Sequence, residues 1–470
     1  MKKLFFLSSI LLFFSCSSDL EGLNVDEKNA TSAPADAFFN LAVKNTSDLL
    51  SGIEYGATVD PWSNTRILVQ QISSVTYNEG STYYLNFNWS SVYQDVLINL
   101  KQSQKVIESG TTSSDPIAQN KLAILEIMQV YTFGRLVESF GDIPYSEALD
   151  VNNITPKYDD AETIYIDLLN RLSIAVNSLD ESQDSWDQDI LYSGDVAKWK
   201  KFGKSLQLQM GMRIVDSNLQ LATETITEAI PGVFTSNEDN AKLEHLSSPP
   251  NTSELWTDLA VGNRKDYVGA KPFVDLLNEL EDPRRTVYFK PVNGEYIGSP
   301  SGLVVNYNDY SEYGEIFYQP TTPVIFLDYA SVEFFLAEAA ERNIGSVTNP
   351  EAHYNAAITA SFEYYGVGEG VEAYLAQPKV AYQTAEGSWQ QKIAMQKWLA
   401  LFNQSPEGYT EWRRMDYPIL VAPPDSFINT VPVRFRYPIS EQTLNSANYQ
   451  SAAAAMGGDV MTQKLFWDVK

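Results

Sequence analysis

The feature that most constrains the fold is a succession of amphipathic helical segments, each bounded by turn-forming residues. In 119–140, Ala123, Ile127 and Val130 recur at i, i+4 and i+7, and Ile124, Met128 and Tyr131 form the adjoining stripe. Two stripes make an apolar face too wide for one neighbour, so this helix packs on more than one side. Pro34 and Asp36 start a helix that carries Phe38, Leu41, Ala42 and Leu49. Ile164, Leu168, Leu172 and Ala175 repeat the pattern in 158–179, and 195–217 continues it. Val332, Phe335, Leu336 and Ala339 share a face in 327–343, a helix follows over 349–367, and Ala394, Trp398 and Leu401 carry the last, over 388–404. The helices pair every 30–40 residues or so, with small and aromatic residues at the contacts, like degenerate tetratricopeptide units. The pattern is loose and does not settle the fold class by itself. Between about 230 and 326 the texture changes: Gly, Pro, Asn and Tyr rise and the helical period fades. Loops with short strands are expected there, and long ordered loops are where function concentrates.

The amino terminus carries a second signal. Lys2 and Lys3 precede an apolar run, Leu4 to Phe14, too short to span a bilayer. Ser15 then stands before Cys16, the chain's only cysteine. This is the bacterial lipoprotein arrangement, in which the thiol is acylated and becomes the first mature residue; the alternative is an ordinary signal with a cysteine near its end. The expected organisation is a signal over 1–15, a polar tether over 16–32 and one domain over 33–470. With Cys16 acylated, disulfides, cysteine-based zinc sites and cysteine nucleophiles are excluded from the mature chain.

Charge narrows the partners. Sixty acidic against 33 basic residues give a net charge of −27, which repels phosphate backbones and argues against nucleic acid. His245 and His353 are the only histidines, and neither sits in a ligand-spaced cluster. No nucleophile elbow, metal-binding histidine motif or phosphate loop is found, so no catalytic residue is assigned. The acidic loop 181–189 is a candidate for structural calcium, but its spacing matches no EF-hand, and a solvated turn is the expected reading.

A series of blocks in order resembles the SusD-like family of Bacteroidota surface lipoproteins: WSSVYQDVLIN at 89–99, ESFGDIPYSEAL at 138–149, GDVAKWKKFGKSLQLQMGMRI at 194–214, DPRR at 282–285, DYASVEFFLAEAAERN at 328–343, QKWLALFNQSPEGYTEWRRMDYPIL at 396–420, RFRYPISEQTLNSANY at 434–449 and the closing LFWDV. The blocks themselves read as structural. Gly141 and Pro144 make a corner, Glu411 pairs with Arg413 or Arg414 beneath Trp412, and the last blocks form a carboxy-terminal clasp. The resemblance implies an all-α, tetratricopeptide-like helical-repeat scaffold with a loop-rich ligand-binding half, in a non-enzymatic binder. It implies an outer-membrane lipoprotein, anchored through Cys16 and facing the cell exterior, which captures oligosaccharides or polysaccharides. These it would deliver to a SusC-type, TonB-dependent β-barrel transporter. No cofactor is implied.

Sugar binding suits the composition, since aromatic rings stack on pyranose C–H faces while polar groups bond the hydroxyl rim. The chain has 27 Tyr and 9 Trp. Candidate glycan contacts in the irregular segments are Trp62, Asn64, Arg66, Tyr77, Tyr83, Tyr84, Trp256, Asn263, Arg264, Tyr267, Tyr310 and Tyr313. Acidity favours a neutral glycan such as a β-glucan, unless Arg66, Arg264 and Lys265 gather into a basic pocket. A peptide binder of the same fold, or a scaffold without small ligand, is the alternative.

Overall fold

The computed structural model describes residues 33–53, 58–112 and 114–470. The expected signal, Cys16 and the expected tether lie outside the described residues. Helices α1 (Ala35–Ser51), α2 (Ile98–Gly110), α3 (Pro116–Phe140), α4 (Ala161–Ser178), α5 (Val196–Arg213) and α6 (Leu219–Ala229) form the first part of the scaffold. Helices α7 (Lys271–Glu279), α8 (Tyr329–Glu341), α9 (Pro350–Tyr364), α10 (Trp389–Ala400), α11 (Ser405–Met415) and α12 (Ser446–Ala455) follow. The fold is thus all-α, as the resemblance implies. The closest packing is pairwise, α1 with α2, α3 with α4, α5 with α6 and α8 with α9, and successive pairs touch through α2–α3 and α4–α5.

The helix starts have a chemical cause. Asp115, Asp160, Asp195, Asn218, Asp328, Asn349 and Ser388 each stand just ahead of a helix and accept a hydrogen bond from a first-turn N–H. Each cap satisfies a donor that the helix leaves open. Gly141, at φ 87°, ends α3 in a conformation that disfavours a side chain. Close approach of α4 and α5 needs Gly203, whose Cβ would stand 2.3 Å from Val176 Cγ2.

One hydrophobic cluster runs from Phe39 to Trp467. Inside it lies a lattice of buried charge. Arg213 on α5, fully buried, donates to Glu138 of α3 at 3.1 Å and Glu407 of α11 at 2.9 Å, and also pairs with Glu411. Arg414 joins Glu338 of α8 at 2.7 Å and Glu411 at 2.8 Å, and Lys397 of α10 reaches Glu411 at 2.8 Å. Arg135 stands 3.7 Å from Glu407. Burial pushes the Glu411 carboxyl up, but Arg414, Lys397 and Arg213 outweigh it and hold it well below the usual range. The expected pairing of Glu411 is therefore made with Arg414. Arg413 instead donates to the carbonyls of Glu138 and Val433 and lies over the Tyr409 and Trp467 rings. Trp412 is turned away, its indole donating to the Pro418 carbonyl. In the 181–189 loop, the Asp189 carboxylate accepts from the Trp199 indole and the N–H groups of Leu191, Tyr192 and Gly194. Its role there is to hold a turn.

Strands are few and short. The antiparallel pair β1 (Ile72–Ser74) with β2 (Tyr267–Gly269) ties the early loops to the later insertion, with Ile72 opposite Gly269. A second antiparallel pair, Ala241–Leu243 with Val324–Leu327, closes the ends of the insertion against each other. The insertion is loop-rich as expected. It also holds α7, nine residues with Pro272 in the first turn and Phe273, Val274 and Leu277 buried, which a search for long periodic runs passes over.

Candidate functional site

Four loops meet beside the β1–β2 pair. The 75–84 loop leaves β1, 262–266 enters β2, 300–305 belongs to the insertion, and 418–428 follows α11. Backbone and side-chain bonds lock them together. The Val75 N–H donates to the Asp266 carbonyl at 2.8 Å, and the Val305 N–H to the Val75 carbonyl at 3.0 Å. Asn78 Nδ2 donates to the Gly302 carbonyl at 3.0 Å, and the Phe427 N–H to the Thr82 carbonyl at 2.8 Å. Loops joined in this way hold their side chains without a ligand present, a requirement for a preorganised surface.

That surface presents aromatic rings to solvent. Tyr77, Tyr84 and Phe427 are 54%, 56% and 47% exposed, far above a core aromatic. Phe427 meets Tyr84 edge-on at 5.1 Å between ring centroids, and the Arg436 guanidinium lies 5.1 Å from the Phe427 centroid while donating to Asn86 Oδ1. Leu303, Val304 and Val421 add exposed apolar area, and exposed Asn263 and Lys265 supply polar groups nearby.

Half of the sequence candidates lie elsewhere in role. Trp62, Asn64, Arg66, Tyr83, Tyr267 and Tyr313 are buried, none more than 3% exposed. The Trp62 indole donates to Ser139, and Arg66 donates to the carbonyls of Ser51 and Phe402 and to Asn403. Tyr313 packs on Phe317 and Phe402. These six are withdrawn from any surface ligand, because tyrosine, tryptophan and a well-bonded arginine serve a polar-rimmed core as readily as a sugar. Tyr77, Tyr84, Asn263 and Arg264 remain accessible on the four-loop surface, with Arg264 bound to Asp266 at 2.8 Å. Tyr310 is half-buried, and Trp256 is half-buried on a helical turn that packs on α1 and on the turn Glu315–Tyr318. Phe427 was not singled out by sequence. An aromatic beside Ile428 in the turn-forming stretch Pro423–Asn429 is the signal that marks it.

Apart from this surface, a cavity of about 510 Å³ is lined by Asp48, Asp60, Glu254 and Asp258 among others. Burial, aided by Glu254, pushes the Asp258 carboxyl up to about 6, and burial does the same for Asp48 against the pull of Lys44. Among the described residues no group of three or more metal-ligating side chains is arranged to hold an ion.

The helical pairs with a loop face are the architecture of SusD-type proteins, as solved structures show. A chitin-binding protein is 27% identical, with TM-score 0.78, over 93% of this chain and 100% of its own. A chitin-binding SusD homologue from Flavobacterium johnsoniae is 25% identical, with TM-score 0.77, over 93% of this chain and 98% of its own. A SusD homologue from Bacteroides fragilis, at 22% identity and TM-score 0.79, shares the fold over 93% of this chain and its own full length. No curated protein matches the sequence. The profile of a SusD-like family, described as starch-binding and associating with the outer membrane, matches residues 38–438, and the chain belongs to that family.

Proposed function

We propose that the protein is a cell-surface glycan-binding lipoprotein. It captures a neutral oligosaccharide on the four-loop surface and passes it to a SusC-type, TonB-dependent transporter. Cys16 carries the lipid that holds it to the outer membrane, facing outward. The role is binding without catalysis. The observation that carries this reading is the exposure of Tyr77, Tyr84 and Phe427 together on interlocked loops. Folding leaves these rings in water although burial would stabilise each by about 1.5–3 kcal/mol, so a ligand that covers them has a ready driving force.

A neutral ligand is favoured by the fate of the cations. Arg66 is buried and Arg264 is bound to Asp266, so the basic pocket that an anionic glycan would need is not assembled from them. Among neutral glycans, β-linked N-acetylglucosamine chains are the first choice. The two neighbours at 27% and 25% identity are described as chitin-binding, and this ligand keeps the apolar faces that rings require. β-Glucans are the next choice. Hand-over calls for release, so affinity in the micromolar range, about −8 kcal/mol at 1 μM, is expected. The test is calorimetry with chitooligosaccharides, laminarin and cello-oligosaccharides, an anionic polysaccharide and a peptide mixture. Binding of a neutral glycan that is lost in Tyr84→Ala supports the proposal. Retention of peptides alone would replace it with peptide capture on the same fold.

A further inference from the structure

We propose that Gln70 is the positioning residue of this surface, fixing the 418–428 strap, and with it the Phe427 ring, over the Tyr84 loop. The inference rests on the glycan-binding reading above and names the side chain on which its geometry depends. Gln70 follows the short helix Thr65–Leu68 and is 5% exposed. Its Nε2 donates to the Val421 carbonyl at 2.7 Å and to the Tyr83 hydroxyl at 3.2 Å, so one amide group spends both hydrogens on the two loops that carry the exposed rings. Tyr83 directly precedes Tyr84, and the strap that Val421 belongs to carries Phe427.

The backbone supports the same reading. Gln70 and Tyr83 both stand at positive φ, 51° and 62°, a region that residues other than Gly, Asn and Asp rarely adopt. Such outliers persist where the surrounding structure over-determines them, and they gather at ligand clamps. The strap's other ties lie at its ends or rest on packing. The Trp412 indole donates to the Pro418 carbonyl at 2.9 Å, and the Phe427 N–H donates to the Thr82 carbonyl at 2.8 Å. Pro423 sits so close over Gly302 that a Cβ there would stand 2.6 Å from the proline ring. Between Pro418 and Pro423, Gln70 supplies a core side-chain hydrogen bond, at the Val421 carbonyl. Leu420 and Ala422 pack partly buried against the core, while Ile419 and Val421, 74% and 75% exposed, face water.

The test uses two variants and three readouts. Gln70→Met keeps the length and removes both donors. Gln70→Asn tolerates the left-handed backbone but is one methylene too short to hold Val421. Chitooligosaccharide affinity is measured by calorimetry, strap opening by amide hydrogen exchange over 418–428, and stability by thermal melting. Both variants should weaken binding by about tenfold through lost preorganisation and speed exchange of the 419–427 amides by about tenfold or more. Gln70→Asn should keep Tm within about 2 °C. Tyr77→Ala serves as the control, losing affinity with strap exchange unchanged. The proposal is overturned by unchanged strap exchange, by a loosened strap with unchanged affinity, or by affinity and Tm falling together in both variants. A wild-type protein that binds no glycan overturns the underlying functional reading, and this positioning role with it; a wild type that binds and a Tyr84→Ala that does not, beside a fully active Gln70→Met, overturns the positioning role alone.

Discussion

Arg213→Met should be among the most damaging single changes outside the binding surface. The guanidinium is fully buried and serves Glu138, Glu407 and Glu411 at once. Methionine fits the apolar stem and leaves these carboxylates without their shared cation. Glu411 keeps Lys397 and Arg414, and Glu407 keeps Arg135 at 3.7 Å, so the loss falls short of three uncompensated charges. Breaking one buried pair typically costs about 3–5 kcal/mol, and the remaining cations place this change near 4. With about 440 folded residues at roughly 2.1 cal/mol/K each, melting entropy is near 0.9 kcal/mol/K, so Tm should fall by about 4–5 °C. Differential scanning calorimetry at pH 7.5 measures it. Glu407→Gln in the Arg213→Met background removes one orphaned charge and should recover part of the loss, about 1–2 kcal/mol. The acid limb follows in sign. Glu407 and Glu411 are held below their ordinary values in the folded chain, so the stability they confer is fully present above the unfolded carboxylate range and is lost progressively as pH falls below that range and through their lowered folded values. The gap between wild type and Arg213→Met should therefore narrow towards pH 4. A Tm change under 1 °C at pH 7.5, or full additivity of the two substitutions, would refute the lattice as a coupled structural unit.

Other outcomes follow from the same structure. Tyr84→Ala and Phe427→Ala should each weaken glycan binding about 5- to 15-fold, for about 1–1.5 kcal/mol of ring contact, with Tm nearly unchanged; calorimetry and melting read both. Asp258→Asn should stabilise the protein at pH 7.5 and have no effect at pH 4. A carboxyl raised to about 6 when folded favours the native state while protonated, and that stability is lost as pH rises through 6. Melting curves across pH 4–8 decide it. Gly203→Ala should destabilise by about 1–3 kcal/mol despite alanine's helix propensity, because the added methyl meets Val176; denaturant titration measures this.

Much of the scaffold was legible because it is written in local chemistry. Stripes such as Ala123, Ile127 and Val130 are all buried on α3, and Asp and Asn ahead of the helices cap them. Short elements were not legible: the nine residues of α7 hold only Phe273, Val274 and Leu277 as a buried face. The site was half legible for a related reason. Sequence shows where aromatic residues are frequent, yet Tyr77 and Tyr83 share one loop and only Tyr77 faces water. Tyr83 turns inward to Gln70, whose amide also holds Val421, more than 300 residues away, and periodicity shows neither contact. Phe427 lies outside the aromatic-rich segments, beside Ile428 in a short proline-led turn, so aromatic frequency does not point to it, and the partners that bury Arg66, Phe402 and Asn403, are equally remote in the chain.

The central claim is that the rings on the four interlocked loops bind a neutral glycan. Isothermal titration of the chain lacking its signal and Cys16 with chitohexaose, beside Tyr77→Ala/Tyr84→Ala, tests it most directly. The account predicts saturable binding near the micromolar range by the wild type and a loss of at least about 30-fold, about 2 kcal/mol, in the double variant. Equal binding by the two proteins, or binding confined to anionic glycans, would contradict it.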